Sequence, residues 1–338
     1  MVAPLQIGGG ITIGGGISVG QPSTPTPPSP TFFPLSNTAT DPTYIDWQIN
    51  NPGYIFTPNV GITTLTPMTD ASFMFYNNTT FNDPDVSTWD TSTITNMERM
   101  LFNTSEFNQP LNSWNTANVT SMSAMLSGAQ VFNQDLNSWN TTNVTNMSGV
   151  FGYSSAFNGD ISAWNTSKVI DMSQMLAAPS FNQNISSWDT SNVINMSAMF
   201  LNATTFNQPI GNWNVGNVTS LQQTFFGTQV FNQDLSSWNT GNVTALYGTF
   251  QNATAFNCGQ ASGVAHDLMQ RTASSGWQVG NVTNMDNMFN NATAFNGNIS
   301  NWCETNISTT PANFATNANA NFTVARQPTW GACPYPNV

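Results

Sequence analysis

The sequence predicts a repeat solenoid with one short parallel β-strand and one short helical turn in each coil of about 25 residues. Three observations predict it. A Phe-Asn pair recurs at Phe81/Asn82, Phe107/Asn108, Phe132/Asn133, Phe157/Asn158, Phe181/Asn182, Phe206/Asn207, Phe231/Asn232, Phe256/Asn257 and Phe295/Asn296. A tryptophan follows each pair, at Trp89, Trp114, Trp139, Trp164, Trp188, Trp213, Trp238, Trp277 and Trp302. The step is 24 to 26 residues except once, where it grows by 14. A fixed period of that size means stacked units, each burying its apolar face only against its neighbours.

One unit, residues 132–156, shows how a coil is built. Phe132, Leu136 and Trp139 alternate with small polar residues such as Asn137 and Ser138, which predicts a short extended segment. Met147, Val150 and Phe151 follow at i, i+3, i+4, the spacing of one helical turn. Asn143, in Asn-Val-Thr, suits a turn before it. Stacked strands step by about 4.8 Å, so nine coils would make a rod of roughly 40–45 Å. The asparagine after each Phe forms a column whose amides can satisfy backbone groups in the turns. The alternative for that column is a row of exposed amides that binds glycan.

Along the chain, residues 1–20 carry their own small repeat, in which isoleucines flank Thr or Ser between glycine triplets. Ile and Thr favour extended chain, and glycine triplets allow sharp turns. This segment predicts an assembly anchor through Ile7, Ile11, Ile13, Ile17 and Val19, docking on a larger partner as an added strand or plug. A floppy leader is the alternative. It has no basic segment and no unbroken apolar run, so it does not read as a secretory signal. Residues 21–31 are a Pro-rich linker, stiff and extended. Residues 32–66, with Phe32, Phe33, Tyr44, Trp47 and Tyr54, predict an N-terminal cap, and 67–308 the repeat array. The insertion at 258–276 predicts a short helix on the outside over Val264–Arg271, flanked by glycines. Residues 309–338 lose the repeated word and predict a C-terminal cap that covers the last hydrophobic end.

Composition excludes several function classes. Apolar content is 39%, yet 23 Phe, 15 Met and 11 Trp supply a few large core groups per coil. Asn-rich, weakly charged chains can be disordered, but aromatics at fixed positions favour an ordered array. The net charge is −12, and the four bases, Arg99, Lys168, Arg271 and Arg326, are dispersed. Nucleic-acid binding and anionic-lipid binding need clustered bases, so neither is expected. No apolar stretch reaches the roughly 18 residues a membrane span requires.

Reactive groups are few. Cys258, Cys303 and Cys333 form no CxxC pair, and His266 is the one histidine, so a Cys/His zinc site is not expected. A Cys303–Cys333 bridge sealing the C-terminal end is one reading; three free thiols is the other. Asp135, Asp160 and Asp234 share a repeat position that is Pro or Asn elsewhere, which argues for a solvated face rather than a calcium ladder. A single calcium ion at Asp83, Asp85 and Asp90 is the minor alternative. His266 and Asp267 lack a fixed nucleophile, so no catalytic role, no cofactor and no metal are expected. Sequons such as Asn118-Val-Thr, Asn143-Val-Thr and Asn202-Ala-Thr arise from the repeated word and read as unmodified turns.

The word Trp188-Asp-Thr-Ser-Asn-Val193-Ile-Asn-Met196-Ser-Ala-Met199-Phe200, followed by Phe206-Asn207, resembles the bacterial surface protein 26-residue repeat, the BspA-like relative of leucine-rich repeats. The resemblance covers residues 67–308. It implies a leucine-rich-repeat-like solenoid and surface display, often in adhesion, and it implies no activity. The Gly/Ile leader is similar to N-terminal segments of tailed-phage virion proteins.

These readings converge on a non-enzymatic structural and recognition protein on the exterior of an assembly. A phage virion exterior is the leading expectation and a BspA-like adhesin on the bacterial cell surface the alternative. The expected partners are other virion or surface-assembly proteins, through residues 1–20, and a host surface glycan or protein. The candidate ligand face comprises Asn137, Ser138, Ser186, Ser187, Ser236 and Ser237, uncharged groups that hydrogen-bond without long-range steering.

Overall fold

The computed structural model describes residues 69–267, 269 and 276–333, together with the backbone of three short strands nearer the N-terminus. The chain is a repeat protein whose successive repeats stack in register. Backbone and side-chain hydrogen bonds join positions 23 to 28 residues apart throughout, widening to about 39 across the insertion.

The expected strand and helical turn are not what each coil contains. One residue per coil makes a parallel bridge, in the series Asp70, Asn96, Ser121, Asn146, Asp171, Asn195, Ser220, Ala245, Asn284. This bridge precedes the Met, not the Phe-x-x-x-Leu-x-x-Trp segment where a strand was expected. The Met segment, expected to be helical, is a ribbon of consecutive tight turns. Met147, Gly149, Phe151 and Tyr153 each donate an N–H to the next coil, at Asp171, Ser173, Met175 and Ala177. The N–H groups between them, of Val150, Gly152 and Ser154, close turns three residues back.

The third residue of two turns is left-handed in every coil except that of Met172, which has one, as a type II turn requires. Gly149 has φ +61° and Tyr153 has φ 60°. Counterparts of Tyr153 in other coils are Asn103, Gly128, Asn202, Gly227, Asn252 and Asn291, the residue types that tolerate this conformation best. A side-chain cap starts the ribbon. Asn146 Oδ1 accepts the N–H of Ser148 and Asp171 Oδ1 that of Ser173, both Asx turns.

The core consists of aromatic columns along the stack. Phe81, Phe107, Phe132, Phe157, Phe181, Phe206, Phe231, Phe256 and Phe295 pile with centroids 5.6–6.1 Å apart and planes within 15°. Such distances exceed the strand-like rise of about 4.8 Å, so the rings are offset, the favoured geometry for stacked aromatics. Phe151, Phe200, Phe225, Phe250 and Phe289 lie flat on the Phe of their own coil at 3.7–4.4 Å.

The tryptophans form a second column: Trp89, Trp114, Trp139 and Trp164 stack at 6.0–6.2 Å, as do Trp277 and Trp302 at 6.0 Å. From Trp114 onward they are 4% exposed or less, and Trp89 is partly buried. Each buried indole N–H reaches a backbone carbonyl of the preceding coil, for example Trp139 to Leu111 at 2.8 Å and Trp164 to Leu136 at 2.9 Å. Among the described residues, the column from Trp114 to Trp302 therefore carries large rings whose indole donors are all paired.

The turn ribbon continues into the last coil, where Asn287, Phe289 and Asn291 donate to Ala312, Phe314 and Thr316. There the flat stacking ends. Phe314 meets Phe289 edge-on at 84°, Phe322 meets Phe295 at 81°, and Trp330 meets Phe314 at 81°. Cys303 and Cys333 are joined by a disulfide.

The three N-terminal strands are β1 (Ile11–Ile13), β2 (Ile17–Val19) and β3 (Thr57–Pro58). They form one antiparallel sheet in the order β1-β2-β3, with Ile11 opposite Val19 and Ser18 opposite Thr57. The anchor segment thus pairs with residues from the expected cap. Ile7, the linker 21–31 and the cap aromatics Phe32, Phe33, Tyr44, Trp47 and Tyr54 lie outside the described residues.

Two stability predictions follow from this architecture. Trp139→Ala opens a hole in the middle of the column and should lower unfolding stability by about 3–5 kcal/mol, read by urea denaturation. Tyr153 is 54% exposed and holds a left-handed φ that its side chain disfavours. Tyr153→Asn should raise stability by up to about 1 kcal/mol in the same measurement; a loss would mean the ring contributes more than its exposure suggests.

Candidate functional site

The surface of the stack is organised in columns, because each repeat position lies on its counterpart one coil away. The candidate ligand face occupies the two positions ahead of Trp in three coils. Asn137, Ser186 and Ser236 are half-buried, and Ser138, Ser187 and Ser237 are exposed. The exposed hydroxyls are engaged: Ser138 donates to the Asn112 carbonyl at 2.8 Å, Ser187 to Ser162 at 3.1 Å, and Ser237 to Gly211. Asn137 donates to Asp160 at 2.9 Å and accepts the N–H of Ala163 at 2.6 Å. These side chains tie coils together and present outward mainly oxygen lone pairs.

Two amide columns do the same. Asn108 Oδ1 accepts the N–H of Asn133, and Asn133 Oδ1 that of Asn158, at 2.8–2.9 Å. The pattern runs to Asn257, which accepts from Asn296. This is the backbone-satisfying role that the recurrence predicts. Gln134 and Gln208 add a second grip on the asparagine of the preceding coil. In the Asn-Val-Thr turns, Asn118 Nδ2 donates to Ser92 and Asn143 Nδ2 to Ala117. The nitrogen that glycosylation would modify is therefore engaged in both.

An exposed threonine column, missed in the sequence reading, runs beside them: Thr95, Thr120, Thr145, Thr219, Thr244 and Thr283. Ile170 and Ile194 interrupt it, about half exposed. Its signal was the Thr after Val119, Val144, Val218, Val243 and Val282.

The insertion departs from expectation. Among its described residues there is no external helix. His266 makes a parallel bridge with Gly297, and its carbonyl accepts the Asn298 N–H at 2.7 Å. Met269 is fully buried and offers its carbonyl to Trp302, the place that Leu or Ile fills in other coils. Leu268 and residues 270–275, including Arg271, lie outside the described residues. The segment enters the stack because its apolar groups can substitute for those of a regular coil.

Asn257 holds this junction. It is fully buried, donates to Ala261 at 2.6 Å and Val264 at 3.0 Å, and accepts from Asn296 at 2.8 Å; its Oδ1 also lies 3.1 Å from His266 Nε2. Burial, ahead of the nearby charges, holds the His266 imidazole below its usual range. Burial also pushes the Cys258 thiol up to about 12, so it stays protonated and weakly nucleophilic. Asp83 accepts the N–H of Asp85, and Asp90 that of Ser92. The Ser92 hydroxyl, then its backbone, hold the Asp90 carboxyl below the usual range. Among the described residues, no group of three or more His, Cys, Asp or Glu gathers as metal ligands would.

Glu304 is the residue that sequence reading overlooked. It fills the place taken in other coils by Thr91, Thr116, Thr141, Thr166, Thr190 and Thr240, buried hydroxyls that bond the next coil. It is 0% exposed, and both carboxyl oxygens lack a hydrogen-bond partner.

Fold and surface together define a class: a tandem-repeat protein held by in-register side-chain columns, with an exterior rich in amides and hydroxyls. The chain belongs to the family described as Mycoplasma protein of unknown function, DUF285, which it matches over residues 69–185, 173–264 and 258–327. That match is compatible with a repeat surface protein and does not extend to the N-terminal leader. No curated protein and no solved structure matches the chain.

Asn257→Ala removes four hydrogen-bond contacts at a dry junction and should destabilise the protein by about 1–3 kcal/mol. Hydrogen exchange should show the loss concentrated around residues 257–298; a uniform loss would contradict the junction role.

Proposed function

We propose that this protein is a non-enzymatic scaffold displayed on the exterior of an assembly, anchored near its N-terminus and presenting its columns for recognition. The observation that carries this reading is the surface itself. Outward side chains repeat coil after coil as amides and hydroxyls, and His266 and Cys258 of the insertion are buried in its structural junction. Such an exterior suits contact with an extended, uncharged partner such as a surface glycan or protein, through many weak in-register contacts.

The family match supports a bacterial cell-surface setting, since it concerns the repeats. The narrower virion setting rests on the Gly/Ile leader alone. For the anchor, β1 is the outer strand of the described sheet, and a partner strand added there is the docking mode we favour.

Removal of residues 1–20 tests the reading. The full chain should fractionate with cell envelope or with gradient-purified particles, and the truncated chain should be soluble with its coils still folded. The fraction that holds the full chain chooses between the two settings. Equal distribution of both chains would refute the anchor.

A further inference from the structure

The C-terminal end combines three features. A disulfide joins Cys303 to Cys333 across a separation of 30 residues. Next to Cys303 sits Glu304, a carboxyl with no exposure and no partner, in a slot that takes a threonine hydroxyl in six other coils. The backbone N–H of Glu304 donates to Ala332, the neighbour of Cys333, at 3.2 Å. The covalent bridge and that hydrogen bond both tie residues 332–333 to residues 303–304, beside the buried acid.

We propose that the last coil, residues 305–333, is a redox latch: the Cys303–Cys333 bridge clamps it over the Glu304 carboxyl, and reduction lets it lift and release that proton to water.

The chemistry balances simply. An external dithiol or phosphine supplies two electrons, the S–S bond breaks, and each sulfur leaves as a thiol after taking a proton. Closure of the coil then depends on non-covalent contacts that must also keep a carboxyl dry. Unpaired buried carboxyls stay neutral because desolvation penalises the charged form. Burial alone raises Glu304 from 4.5 to about 8, with no charged neighbour contributing. The charged side chains of the surrounding coils are engaged elsewhere, Asp286 with the Ala312 N–H and Arg326 with the Asn296 carbonyl. The same slot one coil earlier holds Val279, which is apolar, and the disulfide sulfurs do not titrate.

The sign is fixed by which state holds the proton. The closed coil binds it up to about pH 8 and the open coil only to about 4.5. Between those values each pH unit favours opening roughly tenfold. Below the window Glu304 is protonated in both states and above it ionised in both, so its own contribution is flat on either side. The latch is therefore tightest when oxidised and acidic, and loosest when reduced and mildly alkaline.

Hydrogen exchange on the full chain, with intrinsic chemical rates divided out, tests the proposal. In reduced protein, protection of amides in residues 311–331 should fall roughly tenfold per unit between pH 5 and 7.5, while the interior coils stay constant. The oxidised protein should be roughly a hundredfold more protected in this segment. Glu304→Gln, which cannot ionise, should abolish the slope. Glu304→Thr, the residue of the other coils, should do so too, and it covers the case in which Gln fails to pack. A flat profile in reduced wild-type protein would overturn the latch. So would an unchanged slope in either variant, or loss of all protection at pH 5 once the bridge is reduced.

Discussion

Register is the constraint on which the rest depends. Every repeat position must lie on its own counterpart one coil away, because the polar side chains of one coil satisfy the backbone of the next. Asn133 serves Asn158, Thr141 serves Asn165, and the indole of Trp139 serves Leu111. A slip of one residue would break all three kinds of bond and would part the aromatic columns as well. This explains a composition that is poor in aliphatic residues yet folds. A few large rings supply the apolar burial, and amides and hydroxyls replace the long strand ladders that a conventional sheet would use.

The sequence made the period, the inward residues and the asparagine column legible, because each depends only on recurrence. Phe132, Leu136, Trp139, Met147, Val150 and Phe151 are all buried, as their spacing implied. Conformation was not legible from the same spacing. An i, i+3, i+4 pattern marks a helical turn, but a ribbon of type II turns buries the same positions. The clue lay elsewhere, in Asn or Gly six residues after the Met at Asn103, Gly128, Asn202 and Asn291, where a left-handed φ is needed.

The insertion and Glu304 were harder for a different reason: both are exceptions to the recurrence. His266 and Met269 look like surface helix in a window of eight residues, and only their neighbours one coil away reveal a partial rung. The candidate face residues Ser138, Ser187 and Ser237 are exposed, but their hydroxyl protons are committed to the previous coil, which no local pattern discloses. Glu304 breaks a threonine column and stands out only when the coils are aligned slot by slot.

The turn ribbons have a directional property. In each coil three or four successive donors, such as Met147, Gly149, Phe151 and Tyr153, point toward the C-terminal end. The last ribbon receives such bonds from Asn287, Phe289 and Asn291 and passes none onward among the described residues. Peptide dipoles aligned in this way add along the axis. The stack thus carries an electrical polarity independent of its side chains, with these N–H groups directed toward its C-terminal end, on a molecule whose overall charge is negative.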